Sequence, residues 1–538
     1  MSSLVRIQRA SFRRLCLFLR RAVRSVELKT MHSLRILGSC TALSTILMLG
    51  CAGGMGSGAS DPSLAPSAAD MGTQAPTRLT LVQLNDIYEI TPVGGGRFGG
   101  PARIATLIRD LEAENPNTLA LIAGDFLSPS ALGTARVDGE RLAGRQMVAV
   151  LNTMGLDYAT FGNHEFDVSE EAFHARLGEA RFQWFSSNVR DREGRPFPGV
   201  DDVEILTIGK LRVALMGVTY DGIRPEYVSF LDPVQVIQQA VDTLQDQVDA
   251  LVAITHLPLD QDVALARAVP ELDLILGGHE HENVEIYRGA DLTPIFKADA
   301  NGRSVQVHDL RLDSATGALR IASRLASITD SIGSHPETQA VVEHWLELGY
   351  AGFRADGFEP TQRVVQVPVP LDGLESSVRN GPTELSQLIA DAMRAEVPGA
   401  EVALLNSGSI RIDDVIPPGP ITQYDVIRVL PFGGPVVETY MTGTLLASVL
   451  DQGEANRGGG GFLASSGVVR AEDGAWTVSG RLLDPDRIYI VAAGDFLLSG
   501  REQGLSFLNP DNPDLEIREA KRDVRQALID ELRRRFGG

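Results

Sequence analysis

The residues able to do chemistry stand just beyond apolar runs. "LTLVQL" leads into "NDIYEI", with Asp86 and Tyr88, and "TLALIAG" leads into "GDFLSPS", with Asp125. "YATFG" opens "GNHEFD", which supplies Asn163, His164 and Asp167. "AITH" ends on His256, and "GGHEH" gives His279 and His281. Aspartate, asparagine and histidine together offer oxygen and imidazole donors. That mixture suits Mn, Zn, Fe or Co better than an all-oxygen calcium site. An aspartate shared by two cations holds them about 3.5–4 Å apart, the spacing used in two-metal phosphoryl chemistry.

Each segment also has an ordinary reading. Asp125 could cap a turn, Asn163 could take a left-handed conformation, and His256 could be a satisfied histidine at a strand end. If "NDIYE" and "GHEH" continue as strands, alternation places Asp86 with Tyr88, and His279 with His281, on one face. It is the recurrence of the pattern after five apolar runs that carries weight.

The elements that must position these residues alternate strand and helix from Arg78 onward. The helical pattern "ARIATLIRDLEAE" follows the first strand, helix 141–154 precedes "YATFG", and a helix near Val234–Val248 follows "RVALMGVT". This is the pattern of an α/β domain with buried sheets, in which ligands gather at the carboxyl ends of strands. Strand-like repeats over 303–327 close the first domain, and "PETQAVVEHWLELGY" reads as a bridging helix. The expected organisation is 1–51 signal, 52–77 tether, 78–330 first domain, 331–363 connection and 364–538 second domain.

The ordered set D-x-[H/Y], G-D, G-N-H-E-x-x-D, H and G-H-x-H resembles the calcineurin-like metallophosphatases. "NSGSIR" (406–411), "VLPFGG" (429–434) and "AAGDFLLSG" (492–500) narrow the resemblance to the bacterial and animal 5′-nucleotidase/UDP-sugar hydrolase family. It covers roughly residues 78–535. The resemblance implies a four-layer αββα metallophosphatase domain, followed by a smaller α/β substrate domain. It implies two divalent or trivalent metal ions (Mn, Zn, Fe or Co): one on Asp86, Asp125 and His281, the other on Asp125, Asn163, His256 and His279. Tyr88 stands where most relatives place a histidine, and either ligates the first ion or packs beside it. His164 and Asp167 match the catalytic dyad, and such a site activates water as the nucleophile.

By the same resemblance, Phe432 and Phe496 sandwich a nucleobase, and Asn406, Arg411 and Arg379 contact the ligand. Two departures bear on the substrate: Gly381 stands where an arginine is common, and Glu502 replaces a ribose-contacting aspartate, with Arg501 beside it. The glycine run "RGGGGFL" (457–463) reads as a flexible turn near the base pocket. The expected activity is a 5′-nucleotidase releasing nucleoside and phosphate. The alternatives are a 2′,3′-cyclic nucleotide phosphodiesterase, a nucleotide-sugar pyrophosphatase, or a surface binding protein without turnover.

Composition limits the partners. Nine basic side chains against Glu27 give residues 1–50 a net +8, so the −21 of the 538-residue chain becomes −29 over the rest. So acidic a body disfavours nucleic-acid polymers; a small anionic ligand fits if metal ions or local arginines supply positive charge, and the resemblance implies a nucleotide. Cys16, Cys40 and Cys51 all precede the body, which excludes cysteine nucleophiles and zinc-thiolate motifs there. From Met31 the order is basic residue, apolar run and "LMLGC", which resembles a lipoprotein signal ending at Cys51. The expectation is export to the periplasm or outer membrane on a lipid at Cys51, as a monomer or homodimer. Translation begins at Met31 on this reading, or else the signal has an unusually long start.

Overall fold

The computed structural model describes residues 77–313 and 315–537. The expected signal, lipid site and nearly all of the tether lie outside the described residues. Residues 78–310 and 321–538 form one compact unit, and the hairpin turn 311–320 is grouped apart.

The first half runs β1 (Thr77–Leu84), α1 (Pro101–Glu114), β2 (Thr118–Ala123), α2 (Arg145–Met154), β3 (Tyr158–Thr160) and β4 (Gln183–Phe185). It continues with β5 (Leu211–Thr219), α3 (Pro233–Leu244), β6 (Ala250–His256), α4 (Leu259–Ala268), β7 (Leu274–Gly277), β8 (Thr293–Lys297), β9 (Ser304–Leu312) and β10 (Leu319–Ser327). One seven-stranded sheet has the order β10, β9, β1, β2, β3, β4, Val200–Asp201. A six-stranded sheet has the order Val284–Arg288, β8, β7, β6, β5, Val203–Ile208.

The strands that carry the site pair in parallel: β1 with β2, β2 with β3, β5 with β6 and β6 with β7. Parallel strands covered on both faces are apolar throughout, which is why β6 is buried along its whole length. Helices α1 and α2 pack on the first sheet and α3 and α4 on the second, giving the expected four layers. Buried Gln83 links the sheets, donating from β1 to the carbonyls of Gly277 (2.9 Å) and Phe296 (3.1 Å).

The long helix α5 (Pro336–Ala355) buries Val342, Trp345 and Phe353. The second half contains α6 (Glu384–Glu396), β11 (Val402–Asn406), β12 (Pro435–Thr442), α7 (Gly443–Ala455), β13 (Leu463–Ser466), β14 (Ile488–Gly494), β15 (Leu515–Asp523) and α8 (Val524–Phe536). Its sheet has the order β13, β11, β14, β12, β15. Helix α6 starts where Thr383 and Ser386 cap each other's backbone N–H groups. One buried apolar cluster runs from Val82 and Met147 through Trp345 to Ile389 and Leu528, so the halves share a core. Polar ties join them as well: Glu89 meets Arg428 at 3.2 Å, and Asp414 accepts the Gly94 N–H at 2.7 Å.

Two local expectations are corrected. The helix expected over 141–154 starts at Arg145, because Gly144 takes φ 84° and a short hairpin occupies 136–141. The extended runs expected at "NDIYE" and "GHEH" are loops, with β1 ending at Leu84 and β7 at Gly277. The glycine run forms the expected turn, in which Gly408 N–H donates to Gly460, and Gly458 N–H to Arg379, at 2.7 and 2.8 Å.

Candidate metal centre

Five strand ends place the expected residues. Asp86 follows β1, Asp125 follows β2 and Asn163 follows β3. His256 ends β6, and His279 and His281 follow β7. Three of them take left-handed backbone: Asp86 (φ 53°), Asp125 (φ 58°) and His279 (φ 80°). Such conformations cost about 1–3 kcal/mol each in a non-glycine residue and persist only where the surroundings impose them. Asn163 is not among them; its φ is −75°.

Close approach also demands small residues. A Cβ at Gly162 would lie 2.0 Å from Asp125 Oδ1, and one at Gly278 would lie 2.6 Å from the Ala123 carbonyl and 3.0 Å from Asp86 Oδ2.

Asp86, Asp125 and His256 are buried and offer donor atoms within 4.8 Å of one another. His256 Nδ1 donates to the Ala123 carbonyl at 2.7 Å, which leaves Nε2 for the pocket. There Nε2 lies 3.2 Å from Asp125 Oδ2 and 3.9 Å from Asp86 Oδ1, yet makes no hydrogen bond of acceptable geometry. A nitrogen aimed at two buried carboxylates is favourable only with a shared cation, either a proton or a metal ion. Without metal the proton serves. Burial opposes the charge on His256, but Asp125 and Asp86 outweigh it and hold the ring up at about 9.

His279 is the converse case: burial, then the neighbouring His256, lowers it to about 3. As a neutral ligand its Nδ1 faces Asn163 Oδ1 at 3.2 Å. The grouped donors of Asp86, Asp125 and His256 suit a metal ion.

Tyr88 also enters the pocket. Its phenol oxygen lies 3.0 Å from Asp125 Oδ2, 3.3 Å from Asp86 Oδ1 and 3.2 Å from His281 Nε2. Strand alternation was the wrong reason for expecting this contact, since a left-handed turn at Asp86 delivers the ring instead.

His164 Nδ1 donates to Asp167 Oδ2 at 2.6 Å, and the His164 backbone N–H donates to Asp125 Oδ1 at 2.8 Å. Both side chains of the pair remain partly exposed. The imidazole is therefore oriented by a carboxylate and keeps Nε2 available.

Three site residues escaped the sequence reading. Glu165 is wholly buried, and its carboxylate accepts the N–H groups of Asp125, Phe126, Leu127 and Gly162 at 2.5–3.1 Å. Burial, then the Asp125 charge, push its carboxyl up to about 7. An acid inside "GNHEFD" with no role of its own was the available signal. Asp413 Oδ2 accepts from His281 Nδ1 at 2.7 Å, and Glu375 lies 3.8 Å from the same nitrogen. Both come from the second half, and neither lies in a motif. Burial opposes the charge on His281, but Glu375, Asp413 and Asp86 raise the ring to about 10.

In the second half, Phe432 and Phe496 are 48% and 44% exposed, too open for core residues. Val436 pairs with Gly494, so both phenylalanines hang from one end of the same sheet. Asn406 donates to Glu502 at 2.8 Å, joining two expected ligand contacts. Arg379 pairs with Glu375, and Arg411 lies 3.4 Å from the same carboxylate and 6.0 Å over the Phe432 ring. Gly381 has open space around it.

Comparison with known proteins agrees on family and fold. Residues 79–283 match the family described as calcineurin-like phosphoesterase, and residues 364–508 match the 5′-nucleotidase C-terminal domain. The trifunctional nucleotide phosphoesterase protein YfkN of Bacillus subtilis (strain 168) is 26% identical over 443 residues, 72% of this chain. The match spans only 28% of YfkN. The 5′-nucleotidase of Bos taurus is 24% identical over 496 residues, 79% of this chain and 83% of its own. Among solved structures, the 5′-nucleotidase precursor from Thermus thermophilus superposes with a TM-score of 0.68. That superposition covers 85% of this chain and 97% of the other at 24% identity, a likeness of fold.

Proposed function

Because the chain belongs to the family that joins a calcineurin-like phosphoesterase domain to a 5′-nucleotidase C-terminal domain, we propose that it hydrolyses nucleotide phosphoesters at a dinuclear metal centre. The preferred reading is release of phosphate from nucleoside 5′-monophosphates. The observation that carries it is His256 Nε2, fixed by its tautomer against Asp125 and Asp86 where five strand ends converge.

Asp86, Asp125 and His281 would hold one ion, and Asp125, Asn163, His256 and His279 the other. When bound, the ions supply water activation and polarisation of the phosphoryl oxygens. Glu165 keeps the Asp125 loop in its left-handed turn by accepting four backbone N–H groups. His164, oriented by Asp167, presents Nε2 to the phosphoryl group or the leaving oxygen, whose charge it stabilises. Phe432 and Phe496 stack the base, and Asn406 with Glu502 faces the sugar.

A second reading, a phosphodiester substrate, is favoured by Glu375. It occupies Arg379 and Arg411 and so reduces the positive charge free to meet a terminal phosphate dianion. We further propose export through the N-terminal signal and anchoring at Cys51. Intact mass of protein from the membrane fraction tests this, and an unlipidated chain that retains Arg35 would exclude it. No helix among the described residues is long and apolar enough to cross a membrane.

The activity is tested by phosphate release from nucleoside monophosphates, 2′,3′-cyclic nucleotides and nucleotide sugars, before and after metal removal. Metal-dependent turnover of the monophosphates supports the preferred reading; turnover of the diesters alone replaces it with the second.

A further inference from the structure

The position of Tyr88 is unusual for a residue that merely packs. Its side chain is 5% exposed, and its ring lies 5.4 Å from that of His281. Its backbone N–H is held by Asn301 Oδ1 at 3.0 Å, while the Asn301 N–H donates to the Asp86 carbonyl at 2.7 Å. The Tyr88 backbone is therefore held on one side and its phenol oxygen on the other.

The oxygen it delivers stands among metal donors at donor-to-donor distances. Four donors about 2.1 Å from a shared cation lie about 3.4 Å apart in a tetrahedron, and about 3.0 Å apart as octahedral neighbours. The phenol oxygen is 3.0, 3.3 and 3.2 Å from Asp125 Oδ2, Asp86 Oδ1 and His281 Nε2. Asp86 Oδ1 and His281 Nε2 are themselves 3.6 Å apart. The oxygen thus stands within donor-to-donor distance of three of the residues expected at the first metal site.

We propose that Tyr88 is a ligand, its phenol oxygen completing the first metal site with Asp86, Asp125 and His281. This rests on reading the pocket as a metal centre. The first site then presents three oxygens and one nitrogen. The second, with Asp125, Asn163, His256 and His279, presents two of each. Oxygen-rich sites favour harder cations and imidazole-rich sites borderline ones, so the first site takes the harder ion of the pair.

The test uses the full chain, loaded separately with ferric iron and with zinc. Elemental analysis gives the stoichiometry, and absorbance spectroscopy reads iron–phenolate charge transfer. The expected result is a visible band in iron-loaded protein that zinc-loaded protein lacks. In Tyr88→Phe the band disappears, and one of the two metal equivalents binds at least ten-fold more weakly. In Tyr88→His both equivalents are retained without the band. A band-free wild type that holds iron overturns the assignment, as does unchanged affinity for both equivalents in Tyr88→Phe; each leaves the metal centre standing. A wild type that holds no metal overturns the centre itself. The wild-type spectrum decides even if a variant fails to fold.

Discussion

His281 Nδ1 donates to Asp413 Oδ2 across 2.7 Å, so a carboxylate of the second half orients a pocket histidine of the first. The next residue, Asp414, grips the loop after Asp86 through the Gly94 N–H. The pocket is thus lined from both halves of the chain.

A carboxylate behind a ligating histidine fixes the ring and strengthens its donor nitrogen, commonly by 10–100-fold in metal affinity. Asp413→Ala should weaken one metal equivalent by about that factor in chelator competition. Asp413→Asn keeps an oxygen acceptor and should fall between Ala and wild type. Equal affinity across the series would assign Asp413 to domain contact alone.

Glu375 pairs with Arg379 and Arg411 and offsets part of their charge. Glu375→Gln should free Arg379 and Arg411 and lower KM for a nucleoside monophosphate several-fold, with a smaller change in kcat. Steady-state kinetics check this. An unchanged KM would show that these arginines do not meet the phosphate.

The exposed phenylalanines should act on the base and not on the phosphate. Phe432→Ala or Phe496→Ala should raise KM for nucleotides by the ~1–3 kcal/mol that stacking supplies. Turnover of a simple aryl phosphate should be little altered. Equal losses on both substrates would make these residues structural.

His308 carries a pH dependence remote from the metal ligands. It is buried between Gln83 Oε1 (3.1 Å) and Ser323 Oγ (2.8 Å), and burial lowers its pKa to about 3. Gln83 spends its N–H groups on carbonyls, so His308 Nε2–H donates to it and Nδ1 accepts from the serine. The folded pKa lies below the ordinary value of about 6.5. Between the two, the unfolded chain binds the extra proton. Stability is therefore fully present above pH 6.5 and falls by up to about 1.4 kcal/mol per unit on acidification. In urea denaturation, wild type should lose roughly 2 kcal/mol more than His308→Gln between pH 7 and pH 5. Equal losses would contradict the assignment.

The sequence carried the layers and the strand-end residues because parallel strands announce themselves as apolar runs, and their ends are where polar residues gather. It carried the Phe432 and Phe496 positions through motifs. It did not carry Glu165, whose role is to accept backbone N–H groups that only the closed loop brings together. Nor did it carry Asp413 or Glu375, since their contacts with His281 join residues more than ninety positions apart. Tyr88 was legible as an oddity, but its three contacts depend on the left-handed turn at Asp86, which no periodicity reveals.

The central claim is that the pocket around Asp125 is a metal centre that hydrolyses phosphoesters. Phosphate release from a nucleoside 5′-monophosphate, measured on the full chain before chelation, after chelation and after metal is restored, tests it most directly. The account predicts that activity is lost and regained with the metal, and that Asp125→Asn never regains it. Undiminished release from metal-free protein, or from Asp125→Asn, would contradict it.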